Sequence, residues 1–135
     1  MKKILVGFDG SEGSEQALNR AMMLLYEYGL LILVAVIPKS DIRTFMDGDT
    51  YQKLRTKAGT LISNTIDDLG EQSFEIKGIV EEGDAAAKII DAANRLEVDL
   101  IVLGSKGKSK LGNYPIGSVA NKVVQYAHKP VMVVR

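Results

Sequence analysis

The chain has 135 residues, 17 Lys plus Arg against 17 Asp plus Glu, and no cysteine. That length predicts one domain over residues 1–135, large enough to bury roughly two thirds of its unfolded surface. The balanced charge excludes a global basic field for gripping nucleic acid, and the missing thiols exclude disulfides and thiolate metal sites.

Taken in order, Lys3 to Phe8 reads as a buried strand, and Asp9-Gly10-Ser11-Glu12-Gly13 supplies cap residues and early acids for a helix. Leu5 to Phe8 is too short for the core of a signal peptide. In the first helix Ala17, Leu18, Ala21, Met22, Leu24, Leu25 and Tyr28 form the apolar face, with Gly29 as its end. Leu30 to Ile37 is a second strand closed by Pro38, and is too short to span a bilayer. No membrane partner and a cytoplasmic location are expected.

Lys39 to Thr50 lacks a sustained period and reads as a surface loop. From Tyr51 helical spacing returns through Leu54, Ala58, Leu61, Ile62, Ile66 and Leu69, and stops at Gly70. Phe74 and Ile76 alternate with polar neighbours, as in a strand at a sheet edge. Gly83 and Asp84 open a third helix with Ala86, Ile89, Ile90, Ala93 and Leu96 on one face.

The fourth strand, Leu100 to Leu103, runs into a loop with glycines at 104, 107, 112 and 117 and lysines at 106, 108 and 110. Serines stand at 105, 109 and 118. Missing side chains let main-chain amides approach phosphate oxygens, and the lysines add positive charge. A helix then starts at Gly117 and Ser118, where unpaired N–H groups and the helix dipole favour an anion. Ser118 can cap that helix or give its hydroxyl to the anion. His128 follows the last helix and reads as a helix-end residue rather than a catalyst.

Val131 to Val134 is the last strand. Regular strand and helix alternation implies right-handed crossovers and a parallel sheet with helices on both faces. An apolar terminal strand at an edge invites a partner, and a homodimer through it is expected. In such sheets ligands bind beyond the carboxyl ends of the strands, where strand order reverses. With the first and fourth strands adjacent there, Asp9 faces the glycine loop and suits a ribose hydroxyl or Mg²⁺. Its other use is to cap or order the first turn.

Neither the P-loop nor the G-x-G-x-x-G fingerprint fits, since Val102 stands where a P-loop needs glycine. The pattern G-x2-G-x9-G-[S/T] does fit, as Gly104, Gly107, Gly117 and Ser118. With ILVGFDGSEGSEQAL, VAVIP, VDLIVLGSKG and KPVMVVR in order along the whole chain, it resembles the ATP-binding branch of the universal stress protein family. The resemblance implies a Rossmann-like, open five-stranded parallel sheet in one α/β domain, with strand order 3-2-1-4-5. It implies ATP, ADP or AMP, with Mg²⁺, held over the first and fourth strand ends by Gly7, Phe8 and Asp9 on one side. Val36 would read the adenine edge through its main chain. Leu103, Gly104, Gly107, Gly117, Ser118 and Val119 would hold ribose and phosphates, with Ser105 and Lys106 in the same loop. Lys106 replaces the family's frequent His or Arg, keeping the charge without a planar donor. The loop carries no base, so binding with slow or no hydrolysis is expected. The alternative is an interaction protein of the same fold without nucleotide.

Overall fold

A computed structural model describes residues 1–38, 48–106 and 116–135. Strands β1 (Lys3–Gly7), β2 (Leu30–Pro38), β3 (Glu75–Gly83), β4 (Leu100–Gly104) and β5 (Val131–Val134) form one sheet. Every pairing is parallel and the order is β3-β2-β1-β4-β5, as expected. The described helices are α1 (Glu12–Leu24), α2 (Gly48–Leu69), α3 (Ala85–Arg95) and α4 (Ser118–Tyr126).

Side chains alternate across each strand, so the central strands feed two apolar layers. Ile4, Val6, Leu31, Leu33 and Val102 pack with Ala17, Leu18 and Ala21 of α1 and Ile62 of α2. Leu5, Ile32, Val34, Ile101 and Leu103 face the other way, against Ala86, Ile89, Ala92 and Ala93 of α3 and Ala120 and Val123 of α4. Gly78 lets α2 lie close to β3, because a Cβ there would collide with Ile62 Cγ2.

Strand ends shift by one residue at β1, β2 and β4, and Gly83, expected to open the third helix, closes β3 instead; the larger differences from the sequence reading lie at three boundaries. Helix α1 stops at Leu24, and Leu25 is already extended, so Leu25 and Tyr28 leave the helical face assigned to them. The chain must drop beside β1: the N–H of Tyr26 donates to the Met1 carbonyl and that of Leu30 to the Lys2 carbonyl. Tyr28 takes a left-handed φ of 62° and is 92% exposed. Gly29 then begins the approach to β2 rather than ending the helix, and a Cβ there would lie 2.8 Å from the Lys2 carbonyl oxygen. Helix α2 starts at Gly48, so Gly48, Asp49 and Thr50, expected in a loop, form its first turn. The rest of that loop, 39–47, lies outside the described residues. Strand β3 starts at Glu75, one residue after Phe74, and runs to Gly83 at φ 135°.

Candidate functional site

From β1 the chain moves through α1 and α2 towards β3, then returns through α3 to β4 on the other side of β1. The reversal therefore falls between β1 and β4, which pair directly from Ile4 and Leu100 to Val6 and Val102. Their carboxyl ends place Gly7, Phe8 and Asp9 beside Leu103, Gly104, Ser105 and Lys106, at the position open parallel sheets use for ligands.

Two backbone contacts lock this junction. The first joins α1 to β4: a Cβ on Gly104 would lie 2.5 Å from the Gly13 carbonyl carbon, and one on Gly13 would collide with the Lys106 carbonyl oxygen. The missing side chain at Gly104, read from sequence as room for a ligand, is thus taken up by the first turn of α1. Gly7 is similarly constrained, since a Cβ there would lie 2.7 Å from Leu103 Cδ2. The second contact joins β4 to α4: the Gly117 N–H donates to the Ser105 carbonyl, while the Ser105 N–H donates to the Val134 carbonyl at 2.8 Å. The Gly117 amide is therefore engaged inside the protein.

The helix starts around this junction differ. Ser11 caps α1, its hydroxyl oxygen accepting from the Ser14 N–H at 3.2 Å, and Asp84 caps α3, accepting from the Ala87 N–H at 3.0 Å. In α4 the cap position is Gly117, with no side-chain cap hydrogen bond, so Ser118 is the first helical residue and not the cap. The first-turn N–H groups of Ser118 and Val119 have no intrahelical partner by geometry, and both residues are exposed. Gly107 and the rest of 107–115 lie outside the described residues.

The other expected residues divide by what their side chains do. Phe8 and Leu103 are buried in the core, so only their main chains can meet a ligand, and the Phe8 N–H already donates to the Val34 carbonyl at 2.8 Å. Val36 sits half-buried at the end of β2, paired with Glu81, one strand from β1. Lys106 is exposed. One Asp9 carboxylate oxygen accepts from the Ser11 N–H at 2.9 Å, ordering the first turn in the way the sequence left open.

Sequence reasoning missed the polar set at the end of β3. The Tyr51 hydroxyl donates to Glu82 at 2.5 Å, and Arg55 and Arg95 pair with Glu82 and Glu81. The hydrogen bond to Glu82, then burial, raises the pKa of Tyr51 above the usual phenol value. Tyr51 was read only as a helix start; no local pattern joins it to a residue 31 positions away. Among the described residues no three His, Cys, Asp or Glu gather as a metal site, and no helix is long and apolar enough to cross a membrane. A surface hollow of about 410 Å³ around Tyr26 and Tyr28 lies away from this junction, while one of about 260 Å³ runs between Asn19 and Arg20 of α1 and Val134, whose carbonyl accepts from Ser105.

Comparison with known proteins adds three findings. The sequence profile of the universal stress protein family matches residues 1–135. Universal stress protein MJ0577 from Methanocaldococcus jannaschii is 30% identical over 99% of this chain and 94% of its own. The solved structure reported for MJ0577 superposes with a TM-score of 0.87, at 32% identity over 98% of this chain and 94% of that one. More distant structures share the fold. A universal stress protein in complex with cAMP has a TM-score of 0.67 at 21% identity, over 99% of this chain and 97% of its own. An Arabidopsis thaliana family protein with AMP bound also has a TM-score of 0.67, at 14% identity over 99% of this chain and 91% of its own.

Proposed function

The chain belongs to the universal stress protein family, and from that premise we propose that it is an adenine-nucleotide-binding member, taking ATP, ADP or AMP beyond the carboxyl ends of β1 and β4. The observation that carries this reading is the start of α4. Of the three helix caps described above it alone has no side-chain cap hydrogen bond among the described residues, and it is fastened beside the β4 end through Ser105. A helix start of that kind favours phosphate. The complete Gly104, Gly107, Gly117, Ser118 spacing and the adenine nucleotides in the cAMP and AMP complexes of fold relatives support the same ligand.

In this reading the Ser118 and Val119 amides, the Ser118 hydroxyl and Lys106 hold phosphates, with Gly107 in the same loop. The main chain at Leu103, Gly104 and Ser105 borders the ribose, Gly7, Phe8 and Asp9 line the opposite side, and the Val36 main chain meets adenine. Mg²⁺ fits as a partner of one carboxylate, Asp9, and the phosphate oxygens, which is a common arrangement for that ion. The ion would neutralise phosphate charge. Among the described residues Asp9 is the one acid at this junction and it already orders a turn, so in this reading hydrolysis is slow and the protein serves as a nucleotide-dependent regulator in the cytoplasm. It acts as a homodimer through β5.

A second reading, an interaction protein of the same fold without nucleotide, has a specific observation in its favour. Packing against Gly13 accounts for Gly104, and the bond to Ser105 occupies the Gly117 amide. Calorimetric titration with ATP and MgCl₂ separates the two. Binding by the wild type, weakened at least about tenfold in Gly117→Val while the thermal midpoint is kept, supports the nucleotide site. Absence of heat in the wild type, with no nucleotide released from the purified protein on mass spectrometry, sinks it in favour of the interaction protein.

A further inference from the structure

Beyond Gly7 the sheet narrows. Strand β1 pairs with β2 from Lys3 and Leu30 to Gly7 and Val34, while Ala35 to Pro38 of β2 are in register with Val80 to Gly83 of β3. The ends of β2 and β3 thus form a two-stranded ledge that projects about 13 Å past the end of β1.

Strand alternation aims the main chain of this ledge. The Leu30 N–H donates to the Lys2 carbonyl and the Val34 carbonyl accepts from Phe8, so the even-numbered residues of β2 turn both peptide groups towards β1. Val36 continues that series, and its N–H and C=O face the side on which β1 has ended. A donor beside an acceptor suits adenine, whose edge offers the N1 acceptor and the N6 amine. Guanine offers N1–H and O6 there, the reverse pattern.

Two strands on their own are marginal, so the placing of Val36 depends on what holds the ledge. Glu81 and Glu82, in register with Val36 and Ile37, point to opposite faces. Glu81 follows Ile79 towards α3 and meets Arg95 at 3.4 Å. Glu82 follows Val80 towards α2, where it accepts from the Tyr51 hydroxyl at 2.5 Å and lies 3.5 Å from Arg55. Both arginines are exposed, and exposed ion pairs contribute little. The bond from hydroxyl to carboxylate is short and charge-assisted, which makes it the stronger tie. It fastens the start of α2 to the ledge, one residue along β3 from the partner of Val36.

We propose that Tyr51, through its bond to Glu82, is a positioning residue for the nucleotide base: it holds the ledge so that Val36 meets the base edge squarely, and so sets the preference for adenine over guanine. The proposal rests on the nucleotide reading above. Tyr51 acts on the base alone, because the phosphates are held at the start of α4, on the far side of β1 in the sheet order.

Tyr51→Phe keeps the ring and removes the hydroxyl. Calorimetry, with ATP titrated directly and GTP by competition, should show ATP affinity lowered at least about threefold and GTP affinity kept within about twofold. Backbone hydrogen exchange reads the ledge without nucleotide. By the same alternation the Ile37 amide faces β3, and in Tyr51→Phe it should exchange at least about threefold faster while Leu33, below the ledge, keeps its rate. Glu82→Gln keeps an acceptor and loses the charge, so its effects should be smaller, and the double variant should match Tyr51→Phe alone. Unchanged exchange at Ile37, a preference for ATP that survives Tyr51→Phe, or effects of the two substitutions that add in full each overturn the proposal and leave the nucleotide site standing. ATP and GTP weakened alike also overturns it, since a general loss of structure does the same. Equal binding of ATP and GTP by the wild type overturns the reading at Val36 and the proposal with it. Binding of neither overturns the nucleotide reading as well.

Discussion

Gly13 and Gly59 show how differently two glycines in helices can be used. Gly13 lies in the first turn of α1 with its Cα against the loop after β4, and a methyl group there would collide with the Lys106 carbonyl oxygen, a main-chain atom that cannot swing aside. Gly59 lies inside α2 with no heavy atom within 4 Å of the position a Cβ would take. Gly13→Ala should therefore lower unfolding free energy by about 1–3 kcal/mol, as overpacking does. If the proposed nucleotide site holds, it should also weaken ATP binding by shifting Lys106. Gly59→Ala should raise stability by about 0.5–1 kcal/mol, the usual gain when an unneeded helical glycine becomes alanine. Urea melts of the two variants check both signs, and a Gly13→Ala protein as stable as wild type contradicts the close backbone crossing. Sequence reads Gly7, Gly104 and Gly117 as ligand-facing positions, and leaves out the packing that Gly7 and Gly104 also serve. Spacing shows where glycines recur, while the side chain and backbone that Gly7 and Gly104 make room for, at Leu103 and Gly13, and the Ser105 carbonyl that takes the Gly117 N–H, arrive by tertiary packing.

Between elements, Asp99 ties the amino ends of β1 and β4 as Ser105 ties the carboxyl ends of β4 and β5. One carboxylate oxygen accepts from the N–H groups of both Lys2 and Lys3 at 3.0 Å, and the Asp99 N–H donates to the Lys3 carbonyl at 2.8 Å. The bond from Lys3, with that from Lys2, lowers the carboxyl pKa against a smaller opposing effect of burial. A carboxyl that titrates below its unfolded value of about 4 stabilises the fold fully above that pH, and the contribution fades as pH falls through the folded value. Asp99→Ala should cost about 0.5–1 kcal/mol near neutrality, kept small by exposure to solvent, with the deficit shrinking below about pH 4. Thermal melts from pH 7 downward measure it, and a deficit independent of pH would exclude the carboxylate as its cause. Element by element, the alternation of strands and helices was legible because buried strands run apolar and amphipathic helices keep a 3.6-residue period. The turn at Tyr28 was not, because the apolar period runs on past Leu24 while the chain turns to meet Met1 and Lys2, contacts that no local window contains. The early start of α2 escaped for a related reason: Gly48 and Asp49 are exposed and carry no apolar period.

At the scale of the molecule, a single sheet serves two helical layers, and β1 contributes to both. Ile4 and Val6 pack towards α1 and α2, while Leu5, between them, packs towards α3 and α4. All three are fully buried, so neither layer keeps its floor if β1 leaves the sheet. We infer that residues 1–135 unfold as one cooperative domain. Leu5→Ala opens a cavity in the α3 and α4 layer alone and should cost about 2–5 kcal/mol. If the layers share one transition, native-state hydrogen exchange of the Ile62 amide in α2 should lose as much protection as that of Ala92 in α3, although Ile62 lies on the opposite face from the cavity. A loss confined to Ala92 and its neighbours would mean that the layers open separately. In that case the sheet, for all its continuous pairing from β3 to β5, would join two folding units.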